Sequence, residues 1–236
     1  MTLKGKDINK LPTDGYVIFP LSMSRLQGTQ SPDKCIEYIE VLDKKINIPG
    51  NDIVFLYTNG LYFNTKETAY TVRKRTTQQM LAHRNALKKL ILKKGTYMPG
   101  AFHFLPFDYI ILNSDSFQSF FEKLQKILKK DKNFKKHIIK ALGKREYNKA
   151  NIDFMLEEIA VGHIIREHLI DFPKTLVKKD KFRLIVYPGA YFKPEVYAWQ
   201  KKILPQESPK KLGRYYNATY DPDKKVLYRF DEIRLD

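Results

Sequence analysis

The chain has 236 residues, 43% of them hydrophobic and 13% aromatic, and a net charge of +17; this suits one well-buried core and is too apolar for a disordered chain. No stretch reaches the ~18 uninterrupted apolar residues of a membrane span, and Met1 to Lys10 lacks the apolar segment of a secretory leader. The single cysteine, Cys35, excludes an internal disulfide and a Cys-rich metal site, so a cytoplasmic protein is expected, whose charge asks for a polyanionic partner such as nucleic acid.

After a polar leader over residues 1–14, Tyr16 to Phe19 reads as a buried strand ended by Pro20, and residues 21–30 as loop. Ser31-Pro32-Asp33 supplies an N-cap, a proline at the first helical position and an acid in the first turn, which predicts a helix to about Lys45. Pro49-Gly50-Asn51 breaks the chain before a second buried strand, Ile53 to Tyr57. Strand, helix, strand is a βαβ unit and implies a parallel sheet. A long basic helix follows from about Lys66 to Lys94, with Val72, Thr76, Met80, His83, Leu87 and Leu90 as its inner stripe and Gly95 with Pro99-Gly100 as its stop. Glu67 is its only acid, against Lys66, Arg73, Lys74, Arg75, Arg84, Lys88, Lys89, Lys93 and Lys94. A merely solvated helix normally mixes signs, so this face is the candidate nucleic-acid footprint.

Phe107 to Leu112 reads as a third strand, and Ser114 with Asp115 caps a helix to about Lys130. A lysine-rich helix then reaches Leu142, and Asn151 caps another that ends before Pro173. Arg183 to Tyr187 is a fourth strand, Pro194 to Leu204 is helical, and a Tyr-rich tail over residues 213–236 turns at Asp221-Pro222-Asp223-Lys224 as a hairpin. The expectation is a single α/β domain over residues 1–236, Rossmann-like, with an open, mainly parallel sheet flanked by helices.

Three residue groups carry the candidate chemistry. At 100° per residue, Ile152, Met155, Leu156, Ile159, Ala160 and Ile170 share one arc of about 140°, and His163 and Glu167 point into it while Glu157, Glu158 and His168 point away. A carboxylate on an apolar face is paired, neutralised or used; a structural His–Glu pair at i,i+4 is the plainer account. Ser22 follows the carboxyl end of the first strand, where open α/β sheets bind their ligands, although most loop serines are only turn residues. Tyr187, at the end of the fourth strand, reaches the same crevice or is a core aromatic. The chain has no Gly-x-Ser-x-Gly elbow, which counts against a serine hydrolase, no Gly-rich phosphate loop and no metal-ligand spacing among its five histidines. No metal is expected.

These groups, at these separations, resemble the tRNA-dependent cyclodipeptide synthases, small Rossmann-fold enzymes similar to the catalytic domain of class I aminoacyl-tRNA synthetases. The resemblance runs from about Tyr16 to Trp199. In that family a catalytic Ser follows the first strand, matching Ser22, and an Arg/Lys-rich helix follows the second strand, matching Lys66 to Lys94. A helix carries Tyr and, four residues on, Glu; twenty residues beyond that Glu a strand ends in Tyr, a separation met by Glu167 and Tyr187. His163 stands at the family's usual Tyr, and a neutral imidazole can still accept a hydrogen bond from an amine. Arg25, three residues after the Ser, and Pro188, after the Tyr, resemble the XYP-type branch, in which the first of these positions is variable.

The resemblance implies that two aminoacyl-tRNAs are joined into a 2,5-diketopiperazine, with no cofactor, because the ester is already activated. It implies that Ser22 forms an aminoacyl-enzyme. Glu167 with His163 would hold the aminoacyl ammonium and help deprotonate the attacking amine, and Tyr187 would relay a proton in cyclisation. By offset, Ile18, Val54, Ile170 and Ile185 would line an apolar pocket for the first amino acid, beside Arg25 and Pro188. Arg73, Lys74, Arg75, Arg84, Lys88, Lys89, Lys93 and Lys94 would meet tRNA phosphates, and a monomer is expected. The competing reading is a non-catalytic tRNA- or RNA-binding module.

Overall fold

Three apolar runs form the middle of the sheet. In a computed structural model, residues 2–3, 16–46, 52–59, 67–95, 102–112, 114–167, 183–189, 191–205, 215–221, 226–229 and 233–235 are described. The strands are β1 (Thr2–Leu3), β2 (Tyr16–Leu21), β3 (Asp52–Tyr57), β4 (Phe102–Pro106), β5 (Arg183–Pro188), β6 (Tyr215–Asp221) and β7 (Val226–Arg229), ordered β1-β7-β6-β5-β2-β3-β4. Neighbours pair in parallel except β6 with β7, the antiparallel hairpin expected of the tail. Between them lie α1 (Pro32–Ile46), α2 (Ala69–Lys94), α3 (Phe107–Leu112), α4 (Phe117–Lys130), α5 (Lys132–Leu142), α6 (Lys149–Arg166) and α7 (Lys193–Gln200). This is the α/β, mainly parallel arrangement that the βαβ start implied.

Alternation along the strands divides the core. Val17, Phe19 and Leu21 of β2, with Ile53, Phe55 and Tyr57 of β3 and Leu184 and Val186 of β5, pack under α1 and α2. Tyr16, Ile18, Val54, Leu56 and Ile185 face the other way, onto α3 to α7. Strands covered on both faces read as unbroken apolar runs, which is why β2, β3 and β5 are plain in the sequence. The chain runs outward from β2 through β3 to β4, then returns to the opposite side of β2 with β5. The strand order therefore reverses between β2 and β5, the place where open α/β sheets leave a crevice.

Several boundaries differ from expectation. Pro20 does not end β2, which stays paired with β3 through Leu21; Pro20 lies past the last rung shared with β5, Ile18 to Ile185, where a missing N–H is tolerated. The predicted strand Phe107–Leu112 is instead the helix α3, and the strand is the preceding Phe102–Pro106. A short apolar run fits either state. Here Asn59 Oδ1 accepts the Phe107 N–H at 2.9 Å, and Phe107 and Ile110 are buried one turn apart. Asn148, not Asn151, caps α6, accepting from the Asn151 N–H; the Asn151 amide donates to Glu146 O. The basic helix begins at Ala69 with Thr68 as its cap, so Lys66 falls outside the described residues, as do Ile170 and Pro173.

Asp131 joins α4 to α5 and caps the latter, accepting from the Asn133 and Phe134 N–H groups at 2.9 Å each, and it also takes the Tyr197 hydroxyl. The Phe134 N–H, above all, holds its carboxyl below the usual carboxylate range. A lowered value adds stability above the unfolded-state pKa, and that stability is lost as pH falls through the folded one. Asp131→Ala should cost about 1 kcal/mol in urea melts at neutral pH, and the deficit should close in acid.

Candidate active site

A cavity of about 370 Å³ opens at the crevice between β2 and β5. Its apolar wall is Leu56, Phe107, Phe154, Met155, Val161, Ile165 and Ile185; Ser22, Ser24 and Thr58 stand at the strand ends, and Glu158, Tyr187, Arg166 and Glu195 bring polar groups to it. Arg25, Lys140, Arg145 and Lys193 add positive charge around it, and His137, its pKa lowered first by burial and then by nearby lysines, adds a neutral imidazole.

Ser22 is fixed by its backbone. It follows β2 directly and starts the 3-10 turn Met23–Arg25, its carbonyl accepting the Arg25 N–H at 2.9 Å. The Ser22 N–H donates to Gln30 Oε1 at 2.7 Å, and its hydroxyl meets Ser24 Oγ at 3.1 Å. Thr58 N and Oγ1 both donate to Leu21 O at 3.0 Å, holding the ends of β2 and β3 level.

Tyr187 lies under Arg25, whose guanidinium carbon is 5.8 Å from the ring centroid. Gly189 permits this: its φ is +153°, and a Cβ there would come within 2.5 Å of Arg25 Nη1. Burial pushes the Tyr187 phenol up, and the Arg25 charge opposes that.

Glu158 is the dominant electrostatic feature. It is partly buried and opens onto the cavity. Burial first, and then the nearby Glu195 carboxylate, push its carboxyl up to about 8, against the pull of Arg145 and Arg25. Glu195 itself pairs with Arg166, whose side chain is 6% exposed. This pair lies across Gly162, where a Cβ would come within 1.9 Å of Glu195 Oε1, so a side chain there would displace it.

No protein-family model and no curated protein matches the sequence. Solved structures do match in fold. A cyclodipeptide synthase from Fluoribacter dumoffii superposes with a TM-score of 0.59 at 14% identity, covering 86% of this chain and 88% of that one. One from Staphylococcus haemolyticus gives 0.54 at 10%, covering 86% and 89%. One from Bacillus thermoamylovorans gives 0.52 at 8%, covering 94% and 90%. At these identities the likeness is one of fold.

The structure brings Ser22, Tyr187, Arg25 and Ile185 to one cavity and separates His163 and Glu167 from it. His163 Nε2 bonds Pro205 O at 2.5 Å, and its ring stands edge-on to Phe120 at 5.2 Å; burial lowers its pKa to about 4. Glu167 is buried as the C-cap of α6. The reason is that α6 is covered on two faces. Leu156, Ile159, Ala160, His163 and Ile164 form one stripe, while Phe154, Met155, Glu158, Val161, Gly162, Ile165 and Arg166 form another that lines the cavity. A helix apolar nearly all round has no single inner arc, so periodicity does not tell which of its stripes meets the cavity. The second stripe, with Glu158 at its centre, was the signal that could have pointed to the cavity side of the helix. Ile18 and Val54 lie in the core beneath and not on the cavity wall. Pro188 contributes its carbonyl, which accepts from Gln30, and Ile170 lies outside the described residues.

Of the basic helix residues, Arg73 faces Asp108, Arg75 pairs with Glu67, Lys94 with Glu40, and Lys88 lies over the Phe104 ring. Lys74, Lys89 and Lys93 are exposed on the same helix. None of α2 lines the cavity, but α2 packs on α1 and on the 3-10 turn after Ser22.

Because the Glu158 value is raised from an ordinary 4.5 to about 8, its contribution to stability is complete below the unfolded value and is lost as pH rises through about 8. Glu158→Gln carries no such loss. Its melting temperature should exceed that of the wild type by a margin that grows between pH 5 and pH 9 (about the span of the two values), read by differential scanning fluorimetry.

Proposed function

We infer that the protein is a tRNA-dependent cyclodipeptide synthase of the XYP-type branch, with Ser22 as nucleophile, Glu158 as proton acceptor and Tyr187 as proton relay. The observation that carries this reading is the meeting of Ser22, Glu158 and Tyr187 in one cavity at the strand-order reversal. The fold shared with cyclodipeptide synthases supports it, as does the charge of +17, which suits a tRNA partner.

Ser22 Oγ attacks the carbonyl carbon of an aminoacyl-tRNA ester. The bond to the ribose oxygen breaks, the proton lost by Ser22 ends on that oxygen, and the tRNA leaves an aminoacyl-serine behind. The amine of the bound residue then attacks the ester of a second aminoacyl-tRNA and releases the second tRNA. The free amine of the resulting dipeptide attacks the Ser22 ester, which closes the ring and returns a proton to Oγ. Each attacking amine must first lose a proton. An α-amino group titrates at about 7.7–8.0, so a carboxyl near 8 exchanges that proton at little cost. Phe154, four residues before Glu158, cannot hydrogen-bond an ammonium but offers it an aromatic face. The apolar wall favours an apolar, leucine-like first residue. A purely RNA-binding module would leave the cost of burying Glu158 without a return.

Intact mass after incubation with leucyl-tRNA should give an aminoacyl adduct in the wild type and none in Ser22→Ala, which should still bind tRNA. Full diketopiperazine formation by Ser22→Ala would overturn the covalent route. Glu158→Gln should lower product formation on the order of 100-fold, and Glu167→Gln should change it far less; the reverse ranking would remove Glu158 from the mechanism.

The exposed lysines of α2 are the proposed tRNA footprint. Reversing Lys74, Lys89 and Lys93 to Glu should raise the KM for aminoacyl-tRNA and flatten its salt dependence, while leaving adduct formation from a small leucine ester intact. An unchanged KM would transfer the footprint to the lysines of α5 and residues 129–130.

A further inference from the structure

Among the described residues, the Gln30 side chain hydrogen-bonds to both walls of the crevice. β2 and β5 share rungs from Tyr16–Arg183 to Ile18–Ile185; beyond these, β2 keeps its rungs with β3 as far as Leu21, and β5 keeps its rungs with β6 as far as Pro188. The Gln30 carboxamide reaches across where the strands have parted. Its Oε1 accepts the Ser22 N–H at 2.7 Å, and its Nε2 donates to Pro188 O at 2.9 Å. Gln30 is wholly buried, and its own backbone is held as firmly. Its N–H donates to Arg25 O at 3.0 Å, and its carbonyl accepts from His83 Nε2 at 2.8 Å and from the Cys35 thiol at 3.5 Å. That acceptor puts the imidazole proton on Nε2, leaving Nδ1 to take the Tyr57 hydroxyl at 2.8 Å. Burial lowers the His83 pKa and keeps the ring neutral in this role.

We propose that Gln30 is a positioning residue that sets Ser22 at its working distance from Tyr187, and that His83 anchors it to the basic helix α2. The inference rests on Ser22 being the nucleophile. The amide is suited to this place because one end must accept and the other must donate, and its length spans two strand ends that no longer bond each other. A side chain without both functions leaves the Ser22 N–H or the Pro188 carbonyl without its partner, and the serine loop is then free to move relative to β5. α2 supplies the imidazole to the same residue, so the helix proposed to meet tRNA also holds the support of the nucleophile.

The test measures the rate of Ser22 adduct formation from leucine cyanomethyl ester by intact mass, with the Kd for uncharged tRNA alongside. Gln30→Met keeps the length and loses both hydrogen bonds. Its adduct rate at saturating ester should fall at least about tenfold, the scale of a misplaced reacting group, with the tRNA Kd within about twofold because no phosphate contact is lost. Gln30→Glu provides a readout that packing alone would not move. As a carboxylate it accepts but cannot donate to Pro188 O; once protonated it does both. Relative to the wild type at each pH, its rate should recover as pH falls from about 8.5 to 5.5, toward the ordinary carboxylate range. Arg25 and Tyr187 face the carboxamide, and His83, Tyr57 and Cys35 face its backbone side; all are present in the wild type and cancel in the ratio. An adduct in the wild type with equal rates in both variants overturns this inference alone, as does a Gln30→Glu ratio that is flat with pH. No adduct in the wild type overturns the nucleophile reading and this inference with it. Should Gln30→Met not fold, the pH ratio of Gln30→Glu decides.

Discussion

The parting of β2 from β5 is the constraint on which the site depends. Parallel strands that stayed bonded to their ends would close the crevice and present an unbroken ladder. Here the pairing stops at Ile18 and Ile185, while each strand keeps its outer neighbour. The cost of separating two strand ends is unpaired backbone, and buried backbone groups require partners. A single carboxamide answers two of them, one donor and one acceptor. The opening is therefore held at one width, and the side chains at its rim inherit a fixed spacing.

A second constraint is electrostatic. The chain is strongly basic, yet the cavity holds two carboxylates that bear on each other, Glu158 and Glu195. Arg166 neutralises one across the surface of Gly162. The other is left in a mostly apolar wall, where the neutral acid is favoured at pH 7 and a bound ammonium would restore the charged form. Such a group stabilises an occupied site more than an empty one. Like charges that cannot both ionise freely, with one of them paired, are a common means of setting a carboxyl near neutrality.

Much of this architecture was legible in the sequence, and the reasons are physical. β2, β3 and β5 are covered on both faces, so their apolar runs are continuous. α1 begins at Pro32, and α2 has a clean inner stripe in which Val72, Thr76, His83 and Leu87 are buried. The placement of Ser22 and Tyr187 at one crevice could be read because a strand end is a place as well as a residue. Where structure and expectation differ, the common cause is burial from more than one side. Phe107–Leu112 is too short and too apolar to declare its period, and α6 packs against α4 on one side and the cavity on the other. The twenty-residue spacing favoured Glu167, and Glu158, which lines the cavity, lies twenty-nine residues before Tyr187. Gln30 carried no sequence signal at all, since its role depends on the gap it fills.

Cys35 packs beneath the same loop, 2% exposed, with its thiol pushed up to about 12 by burial. At neutral pH almost no thiolate exists, so the softest nucleophile in the chain does not compete for activated esters. The acyl group of the proposed Ser22 intermediate would be an oxygen ester, with the slower exchange and greater hydrolytic persistence of that bond compared with a thioester. The same silence makes the native chain a clean background for surface labelling. A cysteine introduced at an exposed position such as Leu92, which is 81% exposed, would be the sole reactive thiol, and a fluorophore placed there could report RNA approaching α2 without altering the chemistry within.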